Sequence, residues 1–228
     1  MRYKIQGDNM PVVICELNSG ESMICEAGAM SWMSPNMEME TKSRGGIGGF
    51  FGRALSGESG FQNFFTARNG NGMIAFTSSY VGNILAVDIT PDKPIIIQKR
   101  AFLACTTGVD MEVFFQKKVG TALFGGEGFI MQKLSGNGTV FLELDGSILN
   151  YELKAGEKML ISTGHLAMMD VTVTMDIQQI KGVKNVLFGG ESFFNTVVTG
   201  PGVITVQSMP LSNLVGLIAS RLPTTSSH

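Results

Sequence analysis

Three stretches of this chain align with one another without gaps, and an internal repeat limits the possible folds more than any other feature of a sequence. They are residues 10–17 (MPVVICEL), 82–89 (GNILAVDI) and 146–153 (GSILNYEL), each a strand-like run of aliphatic residues. The alignment continues through a turn: Asn18-Ser19-Gly20-Glu21, Thr90-Pro91-Asp92-Lys93 and Lys154-Ala155-Gly156-Glu157. Such residues turn a chain because Gly tolerates positive φ, Pro fixes φ, and Asp or Asn bonds its own backbone. Farther on, Gly28-Ala29-Met30 matches Gly164-His165-Leu166, with Arg100-Ala101-Phe102 in the middle copy. Residues 37–40, 109–113 and 171–175 then alternate polar and apolar, which on a strand gives one apolar and one wet face.

The second half of the unit repeats more closely. Leu123-Phe-Gly-Gly-Glu-Gly-Phe129 matches Leu187-Phe-Gly-Gly-Glu-Ser-Phe193, and Gly136-Asn137-Gly138 matches Gly200-Pro201-Gly202. Ile89, Leu123 and Gly136 all map onto the third copy at one common offset. The first copy carries Gly57-Glu58-Ser59-Gly60-Phe61 and Gly70-Asn71-Gly72, and its offset to the second changes across a Gly-rich insert. The N-G and P-G pairs between β-rich runs read as hairpin turns.

This pattern predicts an all-β fold of three tandem β repeats, residues 1–72, 73–136 and 137–207, in one structural domain with pseudo-threefold symmetry. No Pro- or Ser-rich linker separates the copies, and separate units would leave strand edges open. Residues 208–228 read as a short C-terminal helix and tail. Leu211, Leu214, Val215, Ile218 and Leu222 fall on one helical face after Pro210 and Ser212, as for a helix packed on the β body or across a dimer contact.

Composition narrows the function classes. At 228 residues the chain should bury about 70% of its extended surface and needs no disulfide or metal to stay folded. It is 44% apolar and only 16% charged, which leaves apolar surface to hide and points to a homo-oligomer. The net charge is −2 and no basic run is longer than the two residues of Lys117-Lys118, so no nucleic-acid partner is expected. Cys15, Cys25 and Cys105 form no C-x-x-C and read as reduced thiols. The first residues run straight into an alternating pattern, which argues against a secretory signal. No run approaches the about 20 apolar residues a spanning helix needs. The expected location is cytoplasmic, or peripheral to the inner face of the membrane.

Two features interrupt or punctuate the repeat. The insert at 43–57 mixes Gly with Ile47, Phe50, Phe51 and Leu55, flanked by Arg44 and Arg53. It reads either as a loop folded over its own core or as a contact for a partner subunit or a lipid surface. The repeated Gly-Glu places Glu58, Glu127 and Glu191 at matching positions, with Gly57 and Ser59 beside the first. Three carboxylates brought together would bind a cation or raise one another's pKa, whereas each alone would accept N–H groups of its own turn. His165 occupies a position held by Ala29 and Ala101 elsewhere, so an ordinary half-buried histidine is the simpler reading. Met30, Met33, Met37 and Met39 read as core filling. G-x-S-x-G, G-K-[ST] and H-E-x-x-H are all missing from the sequence; no catalytic residue, metal or cofactor is expected.

The Gly-Glu-Ser-x-Phe motif at 57–61, its echoes at Gly126-Glu127 and Gly190-Glu191-Ser192-Phe193-Phe194, and the insert before the first of them resemble the bacterial branch of the mitochondrial biogenesis family named for altered inheritance of mitochondria. The resemblance runs from Tyr3 to about Leu217. It implies a β fold similar to the tryptophan RNA-binding attenuation protein, with internal duplication and without its RNA binding. Fungal relatives help organise the inner mitochondrial membrane, and the family supplies no catalytic residues to map. The function expected is a non-enzymatic scaffold or interaction protein; the alternative is a small-ligand or metal-binding β protein using the Gly-Glu positions.

Overall fold

The computed structural model of the chain describes residues 1–43, 61–117, 128–179, 194–219, 221 and 222. This part is mostly β with one short C-terminal helix. After β1 (Arg2–Gln6) the strands fall into three successive groups. The first holds β2 (Val12–Leu17), β3 (Ser22–Cys25), β4 (Met30–Met33), β5 (Met37–Ser43), β6 (Phe61–Ala67) and β7 (Gly72–Thr77). The second holds β8 (Gly82–Ile89), β9 (Ile95–Gln98), β10 (Phe102–Thr106), β11 (Val109–Lys117), β12 (Phe129–Gly136) and β13 (Gly138–Asp145). The third holds β14 (Ile148–Leu153), β15 (Lys158–Ser162), β16 (Leu166–Asp170), β17 (Thr174–Gln179), β18 (Phe194–Thr199) and β19 (Gly202–Gln207), followed by helix α1 (Leu211–Ala219).

The same antiparallel pairings occur in every group. The sixth strand pairs with the first and third. The fifth pairs with the second and fourth. Each third-to-sixth pair slips register once, between Met30 and Trp32, Phe102 and Ala104, and Leu166 and Met168. Such bulges bend a strand and sharpen its twist. The turns after β2 and β14 are built alike. Glu21 N–H donates to the Asn18 carbonyl at 3.0 Å and Glu157 N–H to that of Lys154 at 3.0 Å. In each, the Glu carboxylate also accepts the N–H of the turn's first residue, at 2.8 and 2.9 Å. Gly20 at φ 88° and Gly156 at φ 77° take the left-handed conformation that these turns demand.

The groups interlock. β3 pairs with β10, and β9 with β16, so the second strand of one group joins the third strand of the next. Two six-stranded sheets result, ordered β5-β6-β3-β10-β13-β8 and β11-β12-β9-β16-β19-β14. The remaining strands make two smaller outer sheets, β1-β2-β7-β4 and β15-β18-β17. Sheets and apolar cores alternate. Val13, Phe65, Phe76 and Phe141 belong to the first core, Ile89, Ile97, Leu134 and Leu142 to the second, and Phe129, Ile161, Val198 and Ile204 to the third. Adjacent residues of one strand serve different cores: Met23 and Cys25 the first and Ile24 the second; Ile95 and Ile97 the second and Ile96 the third. This is why β3 and β9 are apolar runs with no polar face.

Two expectations need correction. The Gly-rich pairs at 136–138 and 200–202 are not hairpin turns. β12 and β13 lie in different sheets, as do β18 and β19; these glycines let the chain cross from one sheet to another. Among the described residues, consecutive strands pair as hairpins at β1–β2, β5–β6, β11–β12 and β17–β18. Nor, among the described residues, does pairing close the strand edges of the first and last copies against one another. Among the described residues β4 and β15 end their sheets.

Candidate functional site

A cavity of about 410 Å³ opens where the two six-stranded sheets meet the start of α1. Strand β13 supplies its acidic wall. Glu143 and Asp145 are two apart, so both side chains leave the same face of the strand. Leu144 between them turns the other way, into a small cluster with Ala101 and Ala167. Gln98 arrives from the end of β9, Arg100 from the single turn of 3-10 helix at Lys99–Ala101 that follows, Gln207 from the end of β19, and Pro210 and Leu211 form one side.

Both carboxylates are half-buried, and burial pushes each above the usual carboxylate range. The Ser79 N–H and the Ser78 and Ser79 side chains pull Glu143 back down, and Asp145 repels it. Asp145 accepts the Leu211 N–H at 2.7 Å, and the Arg100 guanidinium also favours its charged form. Asp145 therefore caps α1 from a distant strand, giving a first-turn N–H of the helix its acceptor.

Behind the carboxylates lies a buried amide network. Gln207 Oε1 accepts the Asp145 N–H at 2.9 Å, while its Nε2 donates to the Gly164 carbonyl at 3.0 Å and to Gln98 Oε1 at 3.3 Å. His165 completes the joint. Its Nδ1 lies 2.8 Å from the Gln207 carbonyl, which can only accept, so Nδ1 carries the proton. Its Nε2 faces the Asn213 amide at 3.3 Å. Both ring nitrogens are used in fastening α1 to the β body, the structural role that the sequence suggested for this histidine.

The arrangement is suited to holding a small polar molecule. It offers two acidic groups, one guanidinium and amide donors and acceptors inside a concave, partly dehydrated space. Among the described residues no group of three or more His, Cys, Asp or Glu side chains is placed to hold a metal ion.

Helix α1 is the second notable feature. Pro210 is buried and Leu211 and Leu214 are partly covered, but Val215, Leu217 and Ile218 are 50–52% exposed. The helix predicted from the sequence forms, yet only its first turns pack on the β body.

A profile of the family described as Mitochondrial biogenesis AIM24 matches residues 3–209. The chain belongs to the mitochondrial biogenesis AIM24 family. An uncharacterized protein of Streptococcus pyogenes serotype M6 is 31% identical to it over 236 residues, covering 99% of this chain and 93% of that protein. An X-ray crystal structure of a Streptococcus pyogenes protein has a TM-score of 0.78 and 28% identity to it, and covers 97% of this chain and 99% of that one. The AIM24 family's fold thus extends over the strands that build the cavity.

The residues singled out from sequence in this AIM24-family chain fall elsewhere. Ile47, Phe50, Phe51 and Leu55, the repeated Gly57, Glu58 and Ser59, and Glu127 and Glu191 all lie outside the described residues. In sequence they occupy the connections of the β5–β6, β11–β12 and β17–β18 hairpins. The residues that line the cavity, Gln98, Glu143, Asp145 and Gln207, carried a weaker signal: a polar residue inside or at the end of an apolar strand. No helix among the described residues is long and apolar enough to cross a membrane.

Proposed function

We propose that this chain is a non-enzymatic interaction protein, peripheral to a membrane, that docks through the apolar face of α1. The observation that carries the reading is the set of half-exposed side chains Val215 and Ile218, which share a face, and Leu217 beside them, on a helix fastened at its start by Asp145 and His165. An anchored helix presents its side chains without the ordering cost of a free peptide. The nine residues of α1 include no charge, so docking would depend on apolar contact more than on anionic lipid.

Magnitudes limit the contact. Completing the burial of three half-exposed aliphatic side chains contributes roughly 1 kcal/mol each. The sum falls short of the about 4 kcal/mol of a millimolar complex. One helix docks weakly, and useful binding needs several copies side by side or a second contact such as the Phe50 and Phe51 insert. Flotation with neutral and anionic phospholipid vesicles tests this. The intact chain should float with both, and V215S/I218S and F50S/F51S should each float less. A chain that stays with neither vesicle, or variants that float unchanged, would contradict the membrane reading.

A second reading is favoured by Glu143 and Asp145: the cavity holds a small polar ligand with a cationic or hydroxyl-bearing group. A thermal-shift screen of amines and polyols on the wild type and on E143Q would reveal it as a stabilisation that the variant loses.

A further inference from the structure

We propose that β15 of one copy of this chain pairs edge to edge with β4 of a second copy, joining the two outer sheets into one shared seven-stranded sheet, the six strands of the internal design with β1 added at its edge. The argument comes from the two six-stranded sheets within one chain. Each contains the fourth, fifth and second strands of one group and the third, sixth and first strands of the next. Apart from the added edge strand β1, the outer sheets are the two halves of that design. One ends in β15, a second strand without a following group, and the other ends in β4, a third strand without a preceding one.

Exposure matches this reading. Leu160 of β15 is 60% exposed, whereas Ile24 and Ile96, which hold its place in the other groups, are 1% and 0% exposed. Trp32 of β4 is 45% exposed, whereas its counterpart Ala104 is 0% exposed. The buried counterparts lie at the joints where β3 meets β10 and β9 meets β16. A true outer edge in this molecule looks different. β1 carries Arg2 and Lys4, charges of the kind that keep an edge from pairing. Between Met30 and Met33, β4 has no charge, and on β15 the only charge is Lys158 at its first position.

The register follows from the internal joints. Ala104 lies opposite Cys25, and Met168 opposite Ile97. Transferred to the open ends, both place Trp32 opposite Ile161 of the second copy and Met33 opposite its Leu160. The two edges differ, so the contact is head to tail, and it builds a ring if the rotation closes or a filament if it does not. The surface is separate from the face of α1, so it stands or falls independently of vesicle binding.

Light scattering on the full chain decides it. The wild type should exceed the mass of one chain increasingly with concentration. W32K and L160K, both changed at side chains exposed in the monomer, should each stay monomeric with unchanged melting. Mixed in equal amounts, they should form a species of two chains, because W32K keeps a working β15 and L160K a working β4. A monomeric wild type, or a mixture that stays monomeric while the wild type associates, would overturn the proposal. If either lysine variant fails to fold, M33C mixed with L160C replaces it: under mild oxidation the proposal requires a disulfide-linked pair of chains that neither variant forms alone, and no cross-link counts against it.

Discussion

Glu143 and Asp145 are acids held where acids are costly. Burial raises both, so the folded chain holds their protons more tightly than the unfolded chain. Stability from these groups is fully present below the ordinary carboxylate pKa of about 4 and is lost as pH rises through their raised folded values. Replacing Glu143 with Gln removes one ionisation and keeps an oxygen for the Ser79 N–H. E143Q should therefore gain in melting temperature relative to the wild type between about pH 4 and pH 7. A difference that is flat or shrinks over that range would show that Glu143 ionises freely in the fold. Cys15 and Cys25 illustrate the same physics. Burial pushes both thiols up to about 12, with Glu26 adding to the effect at Cys25, so they are packing groups with little thiolate at neutral pH. The sequence showed these cysteines as isolated thiols because no pairing spacing surrounds them. It did not show the carboxylate pair as a site, because its neighbours Gln98, Arg100 and Gln207 come from other elements of the fold and no local pattern announces that they meet.

At the scale of elements, strands and turns were more legible than their partners. Val13, Cys15 and Leu17 alternate in the sequence and are buried in the fold, and Gly20 and Gly156 turn the chain where their composition says they should. The Gly pairs at 136–138 and 200–202 misled because a hairpin and a crossing between sheets need the same flexible backbone; only the partners of β12 and β13 separate the two. Helix α1 was legible as a helix, but its packing was not, because periodicity marks an apolar face without saying what covers it. The joint beneath α1 makes a sharper test of element-level energetics. Gln207→Leu removes one side chain that serves Asp145, Gln98 and Gly164 together. Leaving those buried groups unpaired should cost about 3 kcal/mol. In a chain of this size that lowers the melting temperature by roughly 5–10 °C. A change of only a degree or two would mean that water replaces the amide and that the network is not what holds the joint.

Over the whole molecule, the decisive feature is that, among the described residues, the strand array stops at β4 and β15 without closing. The repeat in the sequence suggested copies closed against one another about a pseudo-threefold axis, and local patterns carry no information on where the last copy ends relative to the first. Among the described residues the fold alternates four sheets with three large cores and leaves a smaller sheet at each end. That architecture explains why a chain with so little charge keeps Trp32 and Leu160 in water, and it supplies the repetition that a weakly docking helix needs. Hydrogen exchange followed strand by strand reads the open ends directly. In dilute protein, amides facing outward from β4 and β15 should exchange fast while those at the β3–β10 and β9–β16 joints stay protected, and the two outer strands should gain protection as concentration rises. Slow exchange of β4 and β15 in a dilute monomer would mean that the chain closes on itself, and the account of an open, extendable array would be wrong.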